Sequence, residues 1–320
     1  MKIGAVTDCL AYLPFEDMLD TCVRLGIAGV ELNTGNWSSA PHCDLQRLLV
    51  DDAARTALKD AVASRGLELS ALNANGNQLH PTDGARQSKV LHDTIRLAGL
   101  LGVDTVVCMS GLPAGASGDT MPNWVVSSWP PETQSILRYQ WDDVLLPYWS
   151  DLVSLAGREG VNRIAVELHG NQLVFNAPTL LRLREAVGPM VGANLDPSHT
   201  MWMGGDPLQV VDMLGKATFH VHAKDTYINP AKVGTRTLLE NGSLGDLSER
   251  SWWYITLGYG HDERWWREFC YRLRLAGYDG WLSIEHEDMT LSRLEGLRMS
   301  VDLLRNAAPT EPSDFELQDI

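Results

Sequence analysis

Short runs rich in β-branched and apolar residues alternate along the chain with stretches of helical period. The strand-like runs are IGAVTD, GVELNT, LELSALN, TVVCMS, RIAVELH, GANLDP, FHVHAKD and WLSIEH. Between them, FEDMLDTCVRLG (15–26), ARTALKDAVASRG (54–66) and PTLLRLREAVG (178–188) carry the 3.6-residue apolar spacing of half-buried helices. Gly26, Gly66, Gly102 and Gly188 fall where such helices should stop, the place where a left-handed cap favours glycine. Strands that each lead into a helix pair in parallel and close on themselves, so the pattern predicts a single (β/α)8 TIM barrel of the α/β class. The barrel is expected over 1–306, followed by an acidic, Pro-containing tail, 307–320.

Two insertions break the rhythm, after the fourth and seventh strands. Residues 112–140 carry GLPAGASGD, PNW and WPP, and residues 226–261 run from TYINPAKVGTRT to SWWYITLGYGH. Loops that follow strands form the catalytic face of such a barrel, so both insertions are expected to roof a site.

Charge placed inside the strand runs gives the site its chemistry. Side chains alternate along a strand, so in RIAVELH Glu167 and His169 share a face; in FHVHAKD His220, His222 and Lys224 do, and in LSIEHED Glu285 and Glu287 do. Charge on the inward face of a buried parallel strand is costly unless it is paired or bound to a cation. Glu167, Asp196, His222 and Glu285, at the ends of four successive strands, form a mixed oxygen and nitrogen donor set that suits Mn²⁺ and tolerates Mg²⁺, Co²⁺ or Zn²⁺. The same residues fit proton abstraction beside a carbonyl, with a cation stabilising the enediolate as charge develops. Glu167 and Glu285 are the candidate bases and His169 a candidate acid/base. His199 and Lys224 are candidate substrate contacts, and His220, deeper in the barrel, is expected to be a packed core group. Of the eleven tryptophans, Trp124 and Trp202 are candidates for stacking on a sugar face or an aromatic aglycone.

Composition narrows the alternatives. A formal net charge of −15 without a basic stripe argues against a nucleic-acid partner. No apolar run reaches the length of a membrane span, and MKIGAVTDC reads as a first strand rather than a signal peptide. Five scattered cysteines, never in C-x-x-C, argue against disulfides or thiolate zinc and for a cytoplasmic protein. The lone GYG at 258–260 is too weak to indicate a phosphate cradle.

At these residues the chain resembles the sugar phosphate isomerase/epimerase superfamily of xylose-isomerase-like barrels, from MKIGAVTD to about Leu304, most specifically in VFNAPTLLRLREAVGP, GANLDPSH, HVHAKD and SIEHED. The resemblance implies a divalent metal, often manganese, on Glu167, Asp196, His222 and Glu285, with His199 of the D-x-x-H pattern touching substrate. Ketose 3-epimerases of that superfamily carry an arginine shortly after the metal-binding histidine, where this chain has Lys224 and Asp225. The Glu167-x-His169 pairing and the long insertions are similar to another branch, the large subunits of bacterial C-glycoside deglycosidases and enzymes cleaving 3-oxo-glycosides. That resemblance implies β-elimination of an aglycone and a small β-rich partner subunit. The expectation is therefore a metal-dependent sugar isomerase or epimerase, with eliminative glycoside cleavage as the alternative. A phosphodiesterase of the endonuclease type and a non-catalytic sugar-binding barrel are the remaining readings. A sugar or glycoside is the expected small-molecule partner, with a homo-oligomer or a complex with a small β-rich subunit as the alternatives for assembly.

Overall fold

The computed structural model describes residues 1–315. Its centre is a closed barrel of eight parallel strands: β1 (Lys2–Val6), β2 (Gly29–Asn33), β3 (Glu68–Asn73), β4 (Thr105–Cys108), β5 (Arg163–Glu167), β6 (Val191–Leu195), β7 (Thr218–Ala223) and, after an intervening pair, β10 (Trp281–Ile284), which closes the ring against β1. Helices cover the outside, burying Met18, Leu19, Leu91, Ile95, Trp149, Leu152, Trp266, Phe269 and Leu297 against the strands. The expected TIM barrel is the observed fold.

Local chemistry explains where elements end. Gly26 and Gly102 adopt the left-handed cap predicted for them (φ 76° and 75°), because a side chain there would strain the turn. The expected 54–66 helix is Asp52–Ala63 and ends at Ser64, with Gly66 lying beyond it in the turn. Gly188 also ends its helix with a positive φ (104°) that favours glycine, though with ψ 174° in place of the left-handed cap. The final helix, Arg293–Ala307, extends one residue past the expected barrel boundary. Beyond it the Pro309 carbonyl accepts the Met1 ammonium (2.8 Å) and Arg274 (2.9 Å), tying the start of the tail beneath the barrel. The remainder of the expected tail, 316–320, lies outside the described residues.

Inside the barrel the inward residues are layered. At the bottom Trp281 fills the space left by Gly4 and Gly29; a Cβ on Gly29 would lie 2.5 Å from its ring. Above it come Glu31, Asn194, His220 and Ser283, and above those Glu167, Asp196, His222 and Glu285 at the upper rim. Both insertions stand over that rim. The second is more ordered than a loop: β8 (Asp225–Ile228) pairs antiparallel with β9 (Trp252–Ile255) in a separate two-stranded sheet. The hairpin is anchored by Asp225, whose carboxylate accepts the His261 ring Nδ1 (2.7 Å) and the His261 and Thr226 backbone N–H groups (2.8 Å each). At the far end Asp288 accepts the N–H and hydroxyl of both Thr256 and Thr290 at 2.6–2.9 Å.

Candidate active site

One cavity of about 1020 Å³ opens between the two insertions onto the upper rim. Glu167, Asp196, His222 and Glu285 meet at its floor, with one ligand-type atom from each lying within 4.8 Å of all the others. Asp196 directs Oδ1 to the N–H of Ser198, capping the short helix Pro197–Trp202. Its other oxygen, Oδ2, is buried and accepts no hydrogen bond, although Lys224 Nζ stands 3.1 Å away and His199 Nε2 3.2 Å away. His222 Nδ1 is likewise buried without a hydrogen-bond partner, 3.3 Å from Glu285 and 3.5 Å from Glu167. Two orphaned donor atoms facing one point, among carboxylates, fit a cation that both would ligate.

The electrostatics agree with that reading. Burial, reinforced by Glu285 and Glu167, pushes the Asp196 carboxyl up to about 7 despite Lys224. His222 moves the other way. Burial disfavours its charged form, but Glu31, Glu285 and Glu167 outweigh burial and hold it well above the usual imidazole range. Lys224 also stays charged against burial, through Asp196, Glu285 and Glu287. Glu285 is held low by Lys224 and His222, again against burial. The rim therefore carries more carboxylate than its own cations neutralise.

Lys224 donates to Glu285 (2.6 Å) and Glu287 (3.2 Å), with its ammonium 4.6 Å from the centre of the Tyr254 ring. It does not pair with its neighbour Asp225, which is committed to the hairpin anchor. His199 is fully buried, with Nε2 2.9 Å from Glu167 Oε1. Its Nδ1 faces Trp202 Nε1 (3.2 Å) and the Tyr254 hydroxyl (3.0 Å). An indole N–H can only donate, so Nδ1 is the acceptor and Nε2 carries the proton given to Glu167. Burial keeps that imidazole well below its usual range and therefore neutral.

His169 stands beside it, ring centres 4.0 Å apart. Its Nδ1 is bonded to the Gly170 carbonyl, which can only accept, so Nε2 holds the free lone pair. Burial lowers this imidazole too, keeping it in the base form. Trp202, expected to stack on substrate, lies on the helix after β6, stacked on Trp252 (4.8 Å, 8°), with its N–H on His199. Trp124 comes from the first insertion, lines the cavity and packs edge-on against Phe175. His220 is buried against Glu31 at 2.7 Å, as its depth in the strand suggested.

Four contributors were not singled out from sequence. Asn75 and Asn194 both donate to Glu167 Oε2, at 2.6 and 3.2 Å. Tyr254 arrives on the hairpin. Glu31, fully buried on β2, accepts hydrogen bonds from both His220 and His222. A signal for Glu31 existed: in GVELNT it interrupts an apolar run as Glu167 does in AVELHG, on the inward parity.

Residues 19–307 match the family described as xylose isomerase-like TIM barrel, and the chain belongs to that family. It is 47% identical to the uncharacterized protein YfiH of Bacillus subtilis (strain 168), covering 95% of this chain and 98% of that one. The fold is shared with a xylose isomerase domain protein from Planctomyces limnophilus (TM-score 0.65, 18% identity, 96% of each chain). It is shared also with a zinc-bound IOLI protein (TM-score 0.63, 18% identity, 96% of this chain and 98% of that one). Among the described residues no helix is long and apolar enough to cross a membrane.

Proposed function

We propose that this member of the xylose isomerase-like family is a divalent-metal-dependent enzyme that moves a proton on the carbon next to a carbonyl of a sugar or keto-sugar, as an isomerase or epimerase. The observation that carries the reading is the pair of orphaned buried atoms, Asp196 Oδ2 and His222 Nδ1, facing Glu167 and Glu285. Those four side chains would hold the ion. The donor set, three carboxylates and an imidazole without thiolate, favours Mn²⁺ and accepts Mg²⁺, Co²⁺ or Zn²⁺; a related barrel, the IOLI protein, has been solved with zinc. When bound, such an ion supplies positive charge to an oxygen on which negative charge develops.

The remaining work falls to this chain's own groups. Glu285, partly open to the cavity, takes the proton from one face, and its pairing with Lys224 keeps it ionised and ready. Lys224, which lines the cavity beside Glu285, would stabilise charge on a substrate oxygen. His169, which also lines the cavity, exchanges a proton through its free Nε2. His199 holds Glu167 in place through a proton that Trp202 and Tyr254 keep on Nε2.

Eliminative cleavage of a 3-oxo-glycoside, C- or O-linked, is the second reading, and the cavity favours it. Its volume is at the top of the about 300–1,000 Å³ typical of small-molecule sites. Its mouth carries exposed apolar side chains, Trp37, Val126, Leu239 and Leu244, beyond what a bare monosaccharide reaches. Both readings begin with the same proton abstraction. The test is deuterium wash-in from solvent across keto sugars, inososes and 3-oxo-glycosides, with Mn²⁺ restored after chelation. Label in recovered sugar supports isomerisation, release of an aglycone supports elimination, and no exchange with any of them contradicts the proposal.

A further inference from the structure

We infer that Glu31 is a positioning residue that presents His222 to the ion through Nδ1, and that the Glu31–His220–His222 group is not itself a second metal site. The inference rests on the metal reading of the upper rim. It starts from a full set of hydrogen bonds. Glu31 Oε1 accepts Asn73 Nδ2 at 2.8 Å and faces His222 Nε2 at 3.0 Å; Oε2 accepts the Ser283 hydroxyl at 2.8 Å and faces His220 Nε2 at 2.7 Å.

An ionised carboxylate has about four lone-pair sites, and all four are occupied here. The three residues bring ligand-type atoms within 4.8 Å of one another, as the upper group does. A cation among them would have to displace donors that leave no other partner in this fully buried layer. The upper group differs in kind, since its two orphaned atoms have no hydrogen bond to give up when an ion arrives, and Asp196 Oδ2 shares only an ion pair with Lys224.

The same bonds set the proton on His222. Both oxygens of Glu31 already accept, Oε1 from Asn73 Nδ2 and Oε2 from the Ser283 hydroxyl, so the carboxyl meets the two rings as an acceptor. Nε2 of His222 therefore carries the hydrogen facing Glu31, which leaves Nδ1, the atom that faces Glu285 and Glu167, as the position an ion would take. Outer carboxylates that fix a ligand histidine in this way typically contribute about 10–100-fold in metal affinity.

Two measurements separate this inference from the reading beneath it. Calorimetric titration of chelator-treated protein with Zn²⁺ should give one ion per chain for the wild type, and Glu31→Gln should weaken it by roughly 10–100-fold while the variant stays folded by circular dichroism. Because Glu31→Gln alters a buried layer, the deciding spectrum is taken on unmutated protein: ¹⁵N correlation of the Zn²⁺-loaded form should show His222 protonated at Nε2 and metal-shifted at Nδ1. A His222 bound through Nε2, or an affinity unchanged by Glu31→Gln, overturns the inference while leaving the metal site standing. A wild type that binds no ion overturns the metal reading itself.

Discussion

Two carboxylate–histidine clusters are stacked in this barrel and share His222. In the lower one every oxygen of Glu31 has a donor. In the upper one Asp196 Oδ2 and His222 Nδ1 make no hydrogen bond, Lys224 meeting Asp196 only as an ion pair, and the carboxylates outnumber the cations. Residue types and burial are nearly the same in both. What separates framework from site is hydrogen-bond satisfaction: a saturated buried carboxylate holds structure, and an unsaturated one waits for a ligand.

The comparison breaks most sharply at Glu285. Glu285→Gln keeps the shape but removes the base, so solvent deuterium exchange into substrate should fall by about 10²–10⁴-fold. Exchange at the wild-type rate would move the base elsewhere, His169 being the next candidate.

The saturated class makes a pH prediction through Asp288, which accepts four hydrogen bonds where the second insertion meets the loop after β10. Burial raises its carboxyl, but the Thr290 and Thr256 donors prevail and hold it below its ordinary 3.8. A depressed carboxyl stabilises the fold above its unfolded pKa and loses that contribution as pH falls through the folded value. Asp288→Asn should therefore cost about 1–3 kcal/mol at pH 7. In denaturant titrations the gap to wild type should close as pH drops below 3.8. A gap that widened in acid would contradict the assignment.

Gly29 tests the bottom layer, where no chemistry is expected. Gly29→Ala drives a methyl to 2.5 Å from the Trp281 ring. Thermal melts should register a loss of about 1–3 kcal/mol from overpacking, and kcat should be unchanged because the rim lies two layers above.

How much of this was legible in the sequence follows the same division. Strand identity and inward parity are local properties, so the barrel and the convergence of Glu167, Asp196, His222 and Glu285 could be read from alternation alone. Glu31 carried the same signal as Glu167 and was passed over because it sits mid-barrel rather than at a strand end. Trp202, a candidate stacking platform, lines the cavity, and its helical placement after Asp196 also turns its N–H onto His199, which the sequence pattern does not reveal. Tyr254 and the hairpin were beyond sequence reading, since Asp225 anchors that segment to His261 across a long insertion whose turns carry no regular period. Lys224 was legible as inward-facing, but its three carboxylate partners come from the ends of β6 and β10, and only the closed barrel brings them together.

The central claim is that the unsaturated cluster, and not the saturated one, is built for a cation. The direct measurement is elemental analysis with Mn²⁺ titration of chelator-treated protein, comparing wild type, Asp196→Asn and Ser283→Ala. The account predicts one ion per chain in the wild type, loss of binding in Asp196→Asn, and retained stoichiometry in Ser283→Ala, which touches only the Glu31 layer. Binding that survives Asp196→Asn but disappears with Ser283→Ala would place the ion on Glu31 and contradict it.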